Sequence, residues 1–328
     1  MRLSSLSIQA ALAAVTFLAG PCANAQAPAW PTRPITIVVG YPPGGSTDLT
    51  GRSVALELST RLGVPVVIEN IGGAGGAIGA QKVANAAPDG YTLLVGASNE
   101  VAISRLVTPA TKYDIKDFTP IGLIASQPLV LVASTGSGVK TVAQFIDLVK
   151  RNPGKYSYGS SGVGTSLHLA GEMIKQQAGV FMTHIPYRGV APLTNDLLGN
   201  NLDFGVFVLS SGLPHIKSGK VVALGTTEAK RSAVTPDIPA LAETPQLKGM
   251  DIGVWFALLG PAKLPEPIAA KLRKALDETL QSPDFRKKME ASSSTVAAGS
   301  GGKPDVARFL QDEVAKYKKI VEFANIKE

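Results

Sequence analysis

Residues Ile35–Asp48 read ITIVVGYPPGGSTD: five β-branched residues, four of them apolar, a proline–glycine turn, then a hydroxyl and carboxylate cap. A β-branched run of that length packs as a buried strand. Ser46, Thr47 and Asp48 are each good N-caps for a helix that continues through Leu49, Val54, Ala55, Leu58 and Leu62 at helical spacing. A strand turning straight into a helix leaves the first helical N–H groups unpaired and pointing outward. Such a corner is an anion site that needs no basic side chain, although a single one is equally a plain strand-to-helix turn.

The corner recurs. Tyr156–Ser166 reads YSYGSSGVGTS and opens a second amphipathic helix; Gly96-Ala97-Ser98-Asn99 follows the strand ending at Val95; Ile185-Pro186-Tyr187-Arg188-Gly189 follows another apolar run. In open α/β sheets ligands sit beyond the carboxyl ends of the strands, where all four loops fall, so four corners of one composition favour a binding site over four turns. Two neighbours carry open alternatives. Arg188 either forks onto a carboxylate or points to solvent with only the Gly189 backbone at the site. Asp203 either orients a loop or accepts from a ligand donor.

Strand-like and helix-like segments alternate along the chain, which predicts an α/β fold with mostly parallel sheets flanked by helices. Strands are expected at Ile35–Val39, Pro65–Glu69, Tyr91–Val95, Ile121–Ile124, Leu129–Ala133, Tyr156–Tyr158, Phe181–Ile185, Phe204–Val208 and Val221–Gly225. After Trp255–Leu259 the pattern changes to successive helices, Pro267–Leu280, Pro283–Ala291 and Pro304–Ala324, with a Ser/Gly-rich connector at Ser292–Gly302. Met1-Arg2, the apolar run Ala10–Leu18 and Ala23-Asn24-Ala25 have the form of a cleaved secretory leader. Removing residues 1–25 takes away Cys22, the only cysteine, and leaves 303 residues, a length that suits two domains.

Composition narrows the function classes. The chain is 45% hydrophobic and 17% charged, with a net charge of +7 that falls to +6 without Arg2. The basic residues are scattered pairs, and with 6% aromatics there is no basic stripe interleaved with rings, so nucleic-acid binding is not expected. The run Gly72–Gly79 contains no intact G-x-G-x-x-G, since Ile78 takes the closing place counted from Gly73. Ser161 fails the nucleophile elbow because Val163 replaces its closing glycine. His168, His184 and His215 lack metal-ligand spacing and are expected to be structural or surface residues. No cofactor or metal is expected.

PTRPITIVVGYPPGGSTD, VVIENIGGAGGAIGAQKVANAAPDGYTLLVG, YGSSGVGTSLHLAGEM, HIPYRGVAPLTNDLLGNNLDF and GVWFALLGPAKLP, in that order, resemble the Bug family, the substrate-binding proteins of tripartite tricarboxylate transporters. The resemblance implies a type II periplasmic-binding-protein fold: two lobes with mixed, mostly parallel sheets and a ligand cleft between them. Residues 26–124 and 249–328 would form the first lobe and 125–248 the second. It also implies a small organic acid as ligand, membrane subunits of a tripartite transporter as partners, a monomer, and a periplasmic location. Ligand carboxylates in the family are held by backbone N–H groups, hydroxyls and waters. That carries Tyr41, Gly44, Gly45, Ser46, Thr47 and Asp48 onto the first lobe, and Ser160, Ser161, Gly164, Thr165, Ser166, Tyr187 and Gly189 onto the second. Ser98 and Asn99 occupy a third loop. Tyr41 stands where phenylalanine is also common, so its hydroxyl is expected to bear on ligand choice. The alternatives are an orphan sensor of organic acids and an exported α/β hydrolase-like enzyme, the latter lacking a nucleophile with an adjacent base.

Overall fold

The computed structural model describes residues 30–232, 235–299 and 305–326. The leader expected at residues 1–25 lies outside them. The opening run forms β1 (Ile35–Val39), and α1 (Ser46–Leu62) follows after six intervening residues, closing at Gly63 in the left-handed conformation. Then come β2 (Val66–Asn70), α2 (Ala77–Ala84) and β3 (Thr92–Ala97). β1 pairs in parallel with β2 on one side and β3 on the other, giving the expected β/α layering. A π-helical turn, Asn99–Ile103, runs into the short α3 (Ser104–Val107), where the sequence suggested only a loop.

β4 (Phe118–Ser134) is one strand of 17 residues, not two. The apolar runs at each end read as separate strands because Ser126, Gln127 and Pro128 interrupt them. Those residues mark where β4 passes from one sheet to the next, and a proline fits there because it has no N–H to give to a ladder. The first half of β4 pairs with β9 (Gly253–Pro261), and the second half with β7 (Phe204–Val208) and β8 (Val221–Thr226).

The second lobe is built on α4 (Val142–Arg151), β5 (Ser157–Ser160), α5 (Ser166–Ala178), β6 (Thr183–Pro186), α6 (Val190–Leu198) and α7 (Leu209–Lys217). α4 shows why such segments fold locally. Thr141 caps it by accepting from the Gln144 N–H at 3.2 Å, and Val142, Phe145, Ile146 and Val149 form one buried stripe. Phe145 meets Phe204 edge to face with centroids 4.8 Å apart. α8 (Glu266–Gln281), α9 (Pro283–Ala291), β10 (Thr295–Val296) and α10 (Asp305–Phe323) return the chain to the first lobe, where β10 pairs with β4.

Both sheets are mixed. The parallel pairings are β1 with β2 and β3, and β5 with β6 and β7, while every pairing made by β4 and β9 is antiparallel. The two crossing passages therefore add more antiparallel pairing than the simple alternation of segments suggested. Gln127 ties the crossing together: its Nε2 donates to Ser294 Oγ at 2.7 Å and its Oε1 accepts from Ser210 Oγ at 2.8 Å. At the second passage the Thr227 N–H donates to Leu129 O and the Ile252 N–H to Thr227 O. Buried polar groups paired in this way fix where each strand leaves one sheet for the other.

Candidate functional site

The carboxyl ends of β1 and β5 face each other across a cavity of about 970 Å³. On the first side, α1 starts at Gly45 with no side-chain cap, so its first-turn amides are left for a ligand or water. Asp48 is almost fully buried and holds this loop from behind. It accepts from the Gly44 N–H (2.8 Å), Arg52 Nε (3.0 Å) and Asn70 Nδ2 (2.9 Å). Burial pushes its carboxyl up, but these hydrogen bonds outweigh it and hold the group below its ordinary value. Asn70 Nδ2 also donates to Tyr41 O at 2.9 Å, which anchors the start of the turn.

On the second side Thr165 caps α5, accepting from the His168 N–H and donating to Gly162 O at 2.9 Å. Two histidines, His168 buried and His184 half-buried, brace this loop. His168 Nδ1 accepts from the Gly164 N–H at 3.1 Å, and His184 Nε2 meets Ser160 Oγ at 2.7 Å. Their rings stack at 3.8 Å, with Tyr158 on the outer face of His184. Burial is the main reason both titrate low, His168 at about 4 and His184 at about 3, so both are neutral near pH 7. Their expected structural role is the one the geometry gives them.

Two contacts join the sides near the cavity. The Ser166 N–H, in the first turn of α5, donates across the gap to Asn99 Oδ1 at 2.9 Å. Gly164 faces Val107 of α3 so closely that a β carbon on it would lie 2.7 Å from Val107 Cγ1. Asn99 is held in turn by Tyr41, whose Oη accepts from Asn99 Nδ2 at 3.3 Å.

Tyr41, Gly44, Gly45, Ser46, Thr47, Asn99, Ser161, Thr165 and Gly189 all line the cavity. The other expected site residues do not, and each has a physical reason. Asp48 is spent on its own loop, and Ser160 is sealed beneath Gly162 against His184. Gly164 packs on Val107. Ser166 is buried, with its N–H already taken by Asn99. Ser98 is fully buried. Tyr187 donates to Asp196 Oδ2 at 2.7 Å, and burial together with that carboxylate pushes its phenol up to about 12. Asp203 accepts from the Ser157 N–H at 2.9 Å at the amino end of β5, the opposite end from the cavity, so it orients a strand. The Tyr41 hydroxyl is also turned inward, onto Glu100 and Gly75 O, leaving its ring to the cavity.

Several lining residues escaped the sequence reading. Gly73–Gly76 forms part of the wall, and its glycine run was the available signal. Arg188 is an exposed residue of the cavity wall, and its guanidinium makes no ion pair among the described residues. His215 and Ser211 of α7 line the wall beside it in the sequence-distant half of the second lobe. A histidine and a serine on a short helix gave no pattern to read.

The sequence matches the family described as tripartite tricarboxylate transporter family receptor over residues 50–326. BugT of Bordetella pertussis is 33% identical over 308 residues, which cover 92% of this chain and 93% of BugT. Among solved structures, an R. palustris protein with adipate has a TM-score of 0.84 at 32% identity, covering 91% of this chain and 99% of that one. MatC from Rhodopseudomonas palustris with bound malate has a TM-score of 0.80 at 30% identity, with coverage of 89% and 99%.

Proposed function

Because this chain belongs to the tripartite tricarboxylate transporter receptor family, we propose that it captures a small dicarboxylate in its cleft and delivers it to membrane subunits of such a transporter. The observation that supports this most is the pairing of uncapped α1 amides with the Ser161 and Thr165 loop across one cavity. One ligand carboxylate spans that gap. Four to six hydrogen bonds at roughly 1.5–3 kcal/mol each sum to about 6–18 kcal/mol, and the upper part of that range leaves the ~8 kcal/mol of a micromolar complex once association entropy is subtracted.

Arg188 gives the cavity a second, cationic end, and no lysine lines it among the described residues. A ligand with a second carboxylate uses both ends; adipate and malate, the acids on the two R. palustris proteins, have that form. Capture is without chemistry. The Ser160–His184 contact that resembles a nucleophile with its base is sealed behind the loop. The periplasm is the compartment where a receptor of this family meets its ligand before transport.

Isothermal calorimetry with mono-, di- and tricarboxylates tests this reading. Dicarboxylates are expected to bind without turnover, and Ser46→Ala and Ser161→Ala each to weaken binding by about tenfold, the worth of one hydrogen bond to a charge. Arg188→Gln should cost a dicarboxylate more than a monocarboxylate. Equal affinity for all three proteins would place the anion elsewhere.

A further inference from the structure

Glu100 is fully buried directly behind the cavity wall. Tyr41, Gly76 and Ala97 line the cavity on one side and touch the Glu100 carboxyl on the other. Oε1 accepts from the Ala97 N–H at 2.6 Å. Oε2 lies 2.6 Å from Tyr41 Oη, which is also 2.8 Å from Gly75 O and accepts from Asn99 Nδ2.

The protons in this cluster can be counted. A phenol has one proton to donate and two lone pairs to accept with. If Glu100 is ionised, Tyr41 has two acceptors within reach and one proton, so one close oxygen–oxygen contact goes without a hydrogen. If Glu100 carries a proton on Oε2, every contact is made. Glu100 donates to Tyr41 Oη, Tyr41 donates to Gly75 O, and Asn99 Nδ2 fills the remaining lone pair. The same Asn99 accepts from the Ser166 N–H on the opposite lobe, so the network runs from Glu100 to the far side of the cleft.

The geometry points to Glu100 as a proton-holding residue of the binding wall: the protein takes up its carboxylate together with a proton on Glu100, and affinity falls as that proton is lost. This rests on the reading that the cleft binds a carboxylate. Burial, opposed by the bonds from Tyr41, the Ala97 N–H and its own backbone N–H, raises the Glu100 carboxyl to about 7. The other titratable groups facing it are the buried phenols of Tyr41 and Tyr113, both raised in turn, first by burial and then by Glu100. The charged groups on neighbouring elements are engaged elsewhere: Arg105 with Thr111 O, Lys82 with Glu69, and Glu313 with Trp255 and Lys316. No cation pairs with Glu100 among the described residues. An anion brought to the other side of a thin wall disfavours a second negative charge and so holds the proton more firmly. By linkage the proton then holds the anion.

Two measurements test the proposal. Infrared spectra of the ligand-free protein should show a protonated-carboxyl band that titrates near pH 7 and is missing from Glu100→Gln. A wild-type spectrum without that band in mild acid overturns the proposal. Calorimetry with glutarate as the probe, in two buffers of different ionisation enthalpy, should show proton uptake by the wild type. Affinity should weaken about fivefold from about pH 6 to about pH 8, most of the roughly tenfold that one pKa unit of coupling gives in full. Glu100→Gln keeps an acceptor for Ala97 and a donor for Tyr41, and should bind with no proton uptake and no pH dependence. Heat that is identical in both buffers overturns the proton link and leaves the carboxylate reading standing. No heat from either protein, with the infrared band present, overturns the carboxylate reading and the link with it.

Discussion

Gly164→Ala is expected to weaken dicarboxylate binding by between about tenfold and a hundredfold, with a smaller loss of thermal stability. Two separate effects act at this position. Gly164 has φ of +69°, and an alanine there costs ~1–2 kcal/mol whether the cleft is open or closed. That part lowers the melting temperature and leaves affinity alone. The second effect exists only when the lobes meet: the added β carbon would lie 2.7 Å from Val107 Cγ1 and 3.1 Å from Val107 Cβ, on the opposite side of the cleft. Overpacking of this kind costs about 1–3 kcal/mol, and the cost falls on the closed, ligand-holding form. Hinged receptors bind by favouring that form, so the penalty appears as affinity. Val107→Ala in the Gly164→Ala background should restore most of the binding and none of the backbone cost. Calorimetry and thermal melts on the two single variants and the double variant separate the terms. Unchanged affinity in Gly164→Ala would show that this contact plays no part in closure.

The fold was legible where local chemistry and global packing agree. β1, β7 and α9 have the bounds that their periodicity and caps suggest. The crossing strand β4 was not legible as one element, because the residues that let it change sheets, Gln127 and Pro128, are the ones that interrupt an apolar run. The site divides along a similar line. Backbone donors at strand-to-helix corners leave a trace in composition, since glycine and hydroxyl residues are needed to build them, and these corners do line the cavity. The side chains within the same motifs split into wall and brace, and sequence could not sort them. Asp48 and Ser161 sit in equivalent turns, yet one is turned inward to hold an amide and the other faces the cavity. Glu100 carried no signal at all. An acid in a small apolar segment reads as exposed, and only the surrounding Tyr41, Gly75 and Ala97 show why it is buried.

Stability of the free protein is expected to peak near pH 6.5 and to fall on both sides for different reasons. His168 and His184 have folded values of about 4 and about 3, below the ordinary 6.5. Groups depressed in this way contribute in full above pH 6.5, and that contribution is lost as pH falls through the folded values. Glu100, raised from 4.5 to about 7, behaves oppositely: its contribution is complete below 4.5 and is lost as pH rises through 7. Each group changes stability by ~1.4 kcal/mol per pH unit within its window. Between the ordinary carboxyl and histidine values the two histidines outweigh the one carboxyl, so stability rises with pH. Above 6.5 only Glu100 is still changing, and stability declines. His184→Phe keeps a ring on Tyr158 and His168 while removing one titration, and should flatten the rise. It should also cost about 1 kcal/mol near neutrality for the lost bond to Ser160. From about pH 6.5 to about pH 4.5 the wild type should lose about 3 kcal/mol net, the two histidines acting against the one carboxyl. Because His168 holds the Gly164 N–H and His184 holds Ser160, the loss is centred on the loop that faces the cavity. Urea denaturation across this range, with hydrogen exchange at Gly162 and Gly164, checks both parts. An acid limb of equal slope in wild type and His184→Phe would mean that the stacked pair is not the group being protonated.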